Sequence, residues 1–204
     1  MSNPFTLWRS KKSVFPETVN AGGKDVAVNA DFRVALKVLK LYGDPNVKAL
    51  WKNKMLLEWF YPELPHDIAG AVDALLAFMS PPTEDTNDPI KKYVNERRVA
   101  KKTESPSFCF EFDAKEIFSS FMQDYGIDLT ETGFMHWYKF LMLFQTLSKD
   151  SPLNRKIELR TMDVKGLKGE DKARVMKAQE EVKIPVRLTE EEIRKTQELM
   201  AVLM

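Results

Sequence analysis

The stretch that decides the fold lies at residues 134–144, which read FMHWYKFLMLF. Large apolar side chains fill nearly every position of this stretch, and only His136 and Lys139 interrupt it. A helix that is apolar on all sides is normally buried within its domain or pressed against a partner. We therefore predict a helix over residues 131–147, opened by Thr130, at the centre of a helical core.

Amphipathic helices are predicted on both sides of this stretch. Their apolar residues recur at helical spacing, and capping residues, glycines or prolines mark most of their ends. In the second helix, Leu50 and Trp51 are assigned to the core, and Asp113 is expected to cap the fourth. The predicted helices cover about residues 32–42, 46–60, 68–79, 114–125, 154–161 and 170–182.

Two stretches have the alternation that is typical of strands. Residues 14–28 predict a β-hairpin, because Gly22-Gly23 stands between two short alternating runs and supplies the positive φ angles of a tight turn. Residues 108–112 alternate phenylalanines with Cys109 and Glu111, which allows one short additional strand. The predicted fold class is therefore mainly α, a helical bundle with an N-terminal β-hairpin.

One region interrupts the predicted domain, and another follows it. Prolines, polar residues and charges dominate about residues 81–107, which we interpret as an internal linker within a single mainly helical domain at 1–182. Residues 183–204 form a C-terminal extension, in which a capping box at Thr189 opens a last helix. The candidate partner-binding residues of this helix are Ile193, Met200 and Leu203.

Composition and charge favour a folded protein that works by association. The 204 residues are 44% hydrophobic and 30% charged, which excludes disorder throughout. The net charge is only +1, yet residues 61–90 carry six acidic and no basic side chains, and residues 91–104 carry six basic and two acidic ones. Such alternating blocks favour pairing between segments and disfavour the sustained basic surface of a nucleic-acid binder.

The sequence also indicates the compartment. Cys109 is the single cysteine, so an intrachain disulfide is excluded and a reducing compartment is favoured. The N-terminal residues lack a cationic segment followed by an apolar run, so no signal peptide is predicted. The stretch at 134–144 is far shorter than the roughly 20 residues of a membrane span. We therefore expect a soluble protein without a membrane partner.

No motif predicts catalysis, a metal site or a cofactor. His66 stands at a helix start, where a surface role is expected, and His136 is expected to make a local hydrogen bond or to face solvent. With one cysteine and no histidine pair at ligand spacing, no metal site is predicted. Gly22-Gly23 lacks the rest of a phosphate-binding loop, so no nucleotide site is predicted either. We predict that the protein is not an enzyme.

Three groups of short motifs, taken in order, resemble a known family. The middle group is the most specific, because its succession of motifs is unusual. The motifs are NADFR at 29–33 with MLLEWFYP at 55–62, YGIDL at 125–129 with MHWYKF at 135–140, and LRTMDV at 159–164. Over about residues 13–182 the chain resembles the gene-product-fifteen family of bacteriophages and prophages of Gram-positive bacteria.

The resemblance implies a role in building a long, non-contractile phage tail. Members are encoded among tail genes near the tape measure gene, which implies a tail assembly chaperone that binds the tape measure protein in the host cytoplasm. Further expected partners are the tail tube protein, a neighbouring tail chaperone and further copies of this chain. Two other functions stay open: a minor structural component retained in the virion, and a nucleic-acid-binding protein that uses the basic cluster at 91–102.

Overall fold

The structure, a computed structural model, describes residues 15–80 and 106–185. These residues are mainly helical, which confirms the predicted fold class, and they fall into two compact units at 15–80 and 106–184. The predicted single domain over 1–182 stays a prediction. Nearly all of the predicted linker and the whole C-terminal helix lie outside the described residues. The elements are β1 (Thr18–Ala21), β2 (Lys24–Ala27), α1 (Phe32–Tyr42), α2 (Ala49–Phe60), α3 (Ile68–Met79), α4 (Ala114–Tyr125), α5 (Trp137–Gln145), α6 (Pro152–Thr161) and α7 (Gly169–Glu181).

The first unit begins with the predicted hairpin. Strands β1 and β2 pair antiparallel, with Thr18 opposite Ala27 at one end and Ala21 opposite Lys24 at the other. The turn between them needs two residues with positive φ, which Gly22 (60°) and Gly23 (83°) supply. The hairpin prediction is therefore confirmed, including the residues that form its turn.

The hairpin turn approaches the start of α3 closely. Asp67 caps α3 by accepting a hydrogen bond from the Gly70 backbone N–H at 3.0 Å. A Cβ atom placed on Gly70 would lie 2.8 Å from the Gly22 backbone nitrogen, and one placed on Gly22 would collide with the Asp67 side chain. Neither position has room for a side chain, so both must be glycine, and their small size lets β1 pack against α3.

Helices α1, α2 and α3 surround the core of the first unit. Helix α1 packs on α2, and α2 packs on α3. The Phe60 ring is fully buried and meets Phe78 edge-on, with 5.2 Å between the ring centroids. The adjacent Tyr61 is also buried, and its hydroxyl donates a hydrogen bond to the Ala71 carbonyl on α3 at 2.8 Å. This bond ties the end of α2 to the first turn of α3.

The second unit is built around stacked aromatic rings of α4 and α5. The fully buried Phe140 lies almost parallel to Phe121 of α4, with 5.2 Å between centroids, and almost parallel to Trp137, with 5.7 Å. Phe108 and Phe110 each lie 5.2 Å from Phe144. The prediction that the stretch at 134–144 lies at the centre of a core is confirmed within this unit for Trp137, Phe140 and Phe144, whereas Phe134 and Met142 are exposed.

Helix α5 is shorter than predicted, and Thr130 does not open it. The Asp128 carboxylate accepts hydrogen bonds from the Thr130 backbone N–H, the Thr130 hydroxyl and the Glu131 N–H, so these residues form a turn. The helix begins at Trp137, where His136 is the cap and its Nδ1 accepts the Tyr138 N–H at 3.0 Å. Apolar character alone predicted the length wrongly, because the side chains at 128 and 136 compete for the backbone N–H groups.

The predicted additional strand at 108–112 is wrong. Among residues 106–185 the structure has no strand, and this segment forms a turn in which the Asp113 N–H donates to the Cys109 carbonyl at 2.8 Å. The Asp113 carboxylate in turn accepts the Cys109 N–H at 2.9 Å. These reciprocal bonds close a helical turn and use backbone groups that a strand would need for pairing.

Helices α6 and α7 complete the second unit. Helix α6 packs against α4 and α7, and its start is fixed from two sides. Ser151 caps it, and the buried Ser120 hydroxyl of α4 accepts the Leu153 N–H at 3.0 Å. Gln179 of α7 donates to the Met162 carbonyl at 2.8 Å, just beyond the end of α6.

Candidate functional site

The most exposed apolar side chains of the first unit lie at the start of α2. Leu50 exposes 81% of its surface and Trp51 exposes 59%, so their assignment to the core was wrong. The reason is that α2 packs through its second half, where Leu56, Leu57 and Phe60 are buried. The preceding turns of the helix therefore leave their large side chains accessible to solvent.

Helix α2 has a second apolar side. Trp51, Met55 and Trp59 recur every four residues, so they lie along one side of the helix. Trp51 is exposed, and Met55 and Trp59 are partly exposed. We call these three residues the α2 outer face. The sequence alone could have indicated this face. Helix α2 has apolar residues on two sides, whereas packing through one side requires apolar residues on that side only.

Lysines surround the start of the α2 outer face. Lys48 precedes the helix without making a side-chain cap, and the first turn contains no acidic residue. Lys54 lies 5.8 Å above the Trp51 ring. Lys52 instead donates to the carbonyl oxygens of Tyr42 and Asp44 at 3.1 and 2.7 Å. Lys48 and Lys54 are both exposed, and with the helix dipole they give this end of α2 a positive charge, which the pairing of Lys54 with Glu58 offsets only in part.

The second unit also exposes large apolar side chains. Phe134, in the loop before α5, exposes 66% of its surface. Phe112, just before α4, exposes 40% of its surface, and Lys156 Nζ lies 5.0 Å from its ring. The other exposed large apolar side chains of this unit are methionines, whose flexible thioether groups adapt to varied apolar partners. These exposed methionines are Met122, Met142, Met162 and Met176.

The second unit contains a buried cluster of charged groups that the sequence analysis missed. Asp113 is fully buried and accepts hydrogen bonds from both terminal nitrogens of the Arg160 guanidinium. Lys156 Nζ lies 3.0 Å from an oxygen of Asp113 and 3.0 Å from one of Glu116. The pattern that could have indicated it is a pair of acids three apart at the start of α4, Asp113 and Glu116, and a pair of bases four apart on α6, Lys156 and Arg160.

This cluster is suited to holding the unit together. Burial alone would raise the pKa of the Asp113 carboxyl, but hydrogen bonds from Arg160, the Cys109 N–H and Lys156 outweigh burial and hold that pKa below its ordinary value. Burial would likewise lower the pKa of Lys156, but Glu116 and Asp113 raise it above its ordinary value. Asp113 and Lys156 are thus kept charged and paired, whereas a catalytic acid or base must exchange protons near neutral pH.

The two histidines have different surroundings. His66 is exposed, and His136 is buried as the cap of α5, which confirms the local hydrogen bond expected for it. Within residues 15–80 and 106–185, no group of three or more His, Cys, Asp or Glu side chains is arranged to hold a metal ion. No helix in these same ranges is long and apolar enough to cross a membrane.

The candidate partner-binding residues of the C-terminal helix, Ile193, Met200 and Leu203, lie outside the described residues, as does the basic cluster at 91–102. The surfaces that the structure does describe are therefore different from the one that the sequence singled out. They include the α2 outer face in one unit and the exposed phenylalanines and methionines in the other.

Comparison with known proteins assigns the chain to a family. No curated protein and no solved structure matches it significantly. The family model described as bacteriophage Gp15 protein matches residues 12–184, which is most of the chain and includes both compact units. The match agrees with the motifs at 29–33, 55–62, 125–140 and 159–164. This chain belongs to the bacteriophage Gp15 protein family.

Proposed function

We propose that this phage protein is a tail assembly chaperone, which binds the tape measure protein in the host cytoplasm while a long non-contractile tail is assembled. The observation that carries the proposal is the exposure of large apolar side chains in both units, from Trp51 on α2 to Phe134 and four methionines. Where such side chains lie together, as on the α2 outer face, they mark surfaces that bind other proteins.

The nature of the tape measure supports this assignment. A tape measure is a long helical chain with apolar faces, and it tends to aggregate until the tail tube surrounds it. A chaperone for it needs adaptable apolar surfaces that accept many related helices. Exposed methionines provide such surfaces, because an unbranched thioether repacks at low cost.

The family supports the same biology. The resemblance described above implies that members are encoded among tail genes near the tape measure gene. We propose that the tail tube protein, a neighbouring tail chaperone and further copies of this chain bind in the same assembly. In this proposal the function depends on binding surfaces. The charged cluster around Asp113 then serves to stabilise the fold of the second unit.

Co-expression tests the proposal directly. The tape measure expressed by itself should be insoluble, and co-expression with this chain should yield a soluble complex that contains many copies of it. The matched comparison is co-expression with an unrelated helical protein of similar size. A tape measure that stays insoluble with this chain would overturn the proposal.

Purified virions separate the chaperone from a structural tail component. A chaperone should be absent from, or minor in, the finished particle when its peptides are quantified by mass spectrometry. Abundance equal to that of a tail ring would instead establish the structural role.

The C-terminal extension is a further proposed element of binding. We propose that the side chains of Ile193, Met200 and Leu203 contribute to self-association or to partner binding. Deleting residues 188–204 should leave cooperative thermal unfolding intact and weaken the complex. Loss of the cooperative transition would show that the segment belongs to the core instead.

A further inference from the structure

The α2 outer face has the dimensions of a contact site for one helix. Trp51 and Trp59 are separated by eight residues, which corresponds to about 12 Å along the axis, or about two turns. The opposite side of α2 is occupied, because Leu56, Leu57 and Phe60 are buried where α2 packs on α1 and α3. A helix laid across the outer face would meet a narrow apolar strip.

Trp51 has the properties of an anchor in such a contact. Trp51 is 59% exposed, although burial of an aromatic side chain of this size is strongly favourable. Lys54 Nζ lies 5.8 Å from its ring, so a cation already stands beside it. Tryptophan is enriched among the few residues that carry most of the binding energy at protein interfaces.

The surrounding charges select the partner. Lys48 and Lys54 stand at the positive end of α2, whose first turn contains no acidic residue. A complementary helix therefore carries acidic side chains beside its apolar stripe. The one acidic side chain of α2, Glu58, pairs with Lys54 at 3.8 Å and is about half exposed. An anionic membrane would meet Glu58 unfavourably, whereas a helix can place a basic residue opposite it.

We propose that the α2 outer face is a docking surface for an acidic amphipathic α-helix of a partner polypeptide. The identification of that partner as the tape measure rests on the function proposed above. The surface and the chemistry of its occupant rest on the exposed Trp51, the strip that it forms with Met55 and Trp59, and the two lysines.

A designed peptide of about 18 residues provides the probe. It carries leucines at helical spacing with glutamates beside them, and a second version carries lysines in place of the glutamates. Titration into the full chain should shift the tryptophan emission to shorter wavelength as Trp51 becomes buried. The glutamate peptide should bind about tenfold or more tightly than the lysine peptide. Equal or no binding of the two peptides would overturn the proposal.

Matched variants locate the site. Both W51A and K54E should weaken binding of the glutamate peptide about tenfold or more. The controls are L76A, which removes another partly exposed apolar side chain of the same unit, and K24E, which reverses an exposed lysine of the hairpin. Both controls should bind within about threefold of the unmodified chain. An effect of the controls as large as that of W51A would place the contact elsewhere.

Two further measurements separate the alternatives. Vesicles of anionic phospholipid should not shift the tryptophan emission, and a shift that W51A abolishes would assign the face to a membrane surface instead. Co-expression with the tape measure is scored independently. If the chain binds the peptide but does not make the tape measure soluble, the proposed function alone is overturned. If the chain makes the tape measure soluble but does not bind the peptide, and W51A leaves that solubility unchanged, the docking surface alone is overturned.

Discussion

Arg160 holds both carboxylate oxygens of the buried Asp113. Its Nη2 lies 2.9 Å from Oδ1 and its Nη1 lies 3.1 Å from Oδ2, the forked geometry that guanidinium and carboxylate groups favour. The same guanidinium donates to the Ser107 carbonyl at 2.6 Å and to the Val182 carbonyl at 2.8 Å. One side chain of α6 thus connects the start of the second unit, the first residues before α4 and the end of α7.

Replacing Asp113 should destabilise the second unit severely. D113N leaves Arg160 and Lys156 without their shared counter-charge, and loss of one partner of a buried ion pair costs about 3–5 kcal/mol. Denaturant unfolding measures the loss. The control is D150N. It removes the exposed ion-pair partner of Arg155, which lies on α6 like Arg160, and should cost less than about 1 kcal/mol. Similar losses in the two variants would contradict the structural role of the cluster.

The Asp113 cluster should also make stability depend on acidic pH. Because the folded pKa of Asp113 lies below its ordinary value of 3.8, the folded state binds this proton less tightly than the unfolded chain does. The stabilisation is therefore fully present above that ordinary pKa and is lost as the pH falls through the folded pKa. Urea unfolding from about pH 6 to pH 2 should show the unmodified chain and D113N converging as the pH falls. A difference that does not depend on pH would contradict this pairing.

Alkaline pH should destabilise the protein through two buried phenols. Burial raises the pKa of Tyr61 and that of Tyr138 from 10.0 to about 12. Because the unfolded chain loses these protons first, the stability that they contribute is present below pH 10 and decreases as the pH rises towards 12. Thermal unfolding and phenolate absorbance should change together in this range. Y61F should reduce the slope of stability against pH in this range. An unchanged slope would exclude Tyr61 as a cause of the alkaline loss of stability.

Alanine substitutions should distinguish the two glycines of the hairpin turn. Both have positive φ, which costs an L-residue about 1–2 kcal/mol, but a Cβ on Gly23 meets nothing within 4 Å, whereas one on Gly22 collides with Asp67. G22A should therefore be the more destabilising of the two. G70A should also destabilise, although alanine normally stabilises a helix by about 1 kcal/mol relative to glycine. A G70A that stabilises would contradict the close approach of the turn to α3.

Phe140 should be essential to the aromatic core. F140A removes the ring between Phe121 and Trp137 and should cost about 3–5 kcal/mol. The control is F134A, six residues earlier in the same apolar stretch, which should change stability by less than about 0.5 kcal/mol because that side chain is 66% exposed. Equal costs at the two positions would contradict the burial of Phe140 and the exposure of Phe134.

Local patterns predicted the elements that depend on local chemistry. Gly22-Gly23 predicted the hairpin turn, and the capping residues and glycines expected at helix ends are found at Asp31, Asp67 and Gly126, the last with φ of 65°. In each case neighbouring residues satisfy the backbone groups. The family, too, was predicted from short motifs and is confirmed by the match over residues 12–184.

The predictions failed where contacts with residues distant in sequence determine the local structure. Asp113 occupies the predicted cap position, but its carboxylate binds Arg160, Lys156 and the Cys109 N–H, so it makes no side-chain cap. Trp51 was assigned to the core because it belongs to an apolar helix, and only the packing of α2 shows which side is buried. Periodicity identifies apolar sides, but it does not show which of two sides the fold covers.

The position of Cys109 makes the chain its own reporter of local opening. It is the single cysteine, it is buried, and its N–H is held by Asp113, which Arg160 holds in turn. A thiol reagent therefore reacts only when this turn opens, and the labelling rate measures the free energy of that opening without any engineered probe. Because Cys109 lies in the second unit, the labelling rate reports opening of that unit and does not report opening of the hairpin in the first unit.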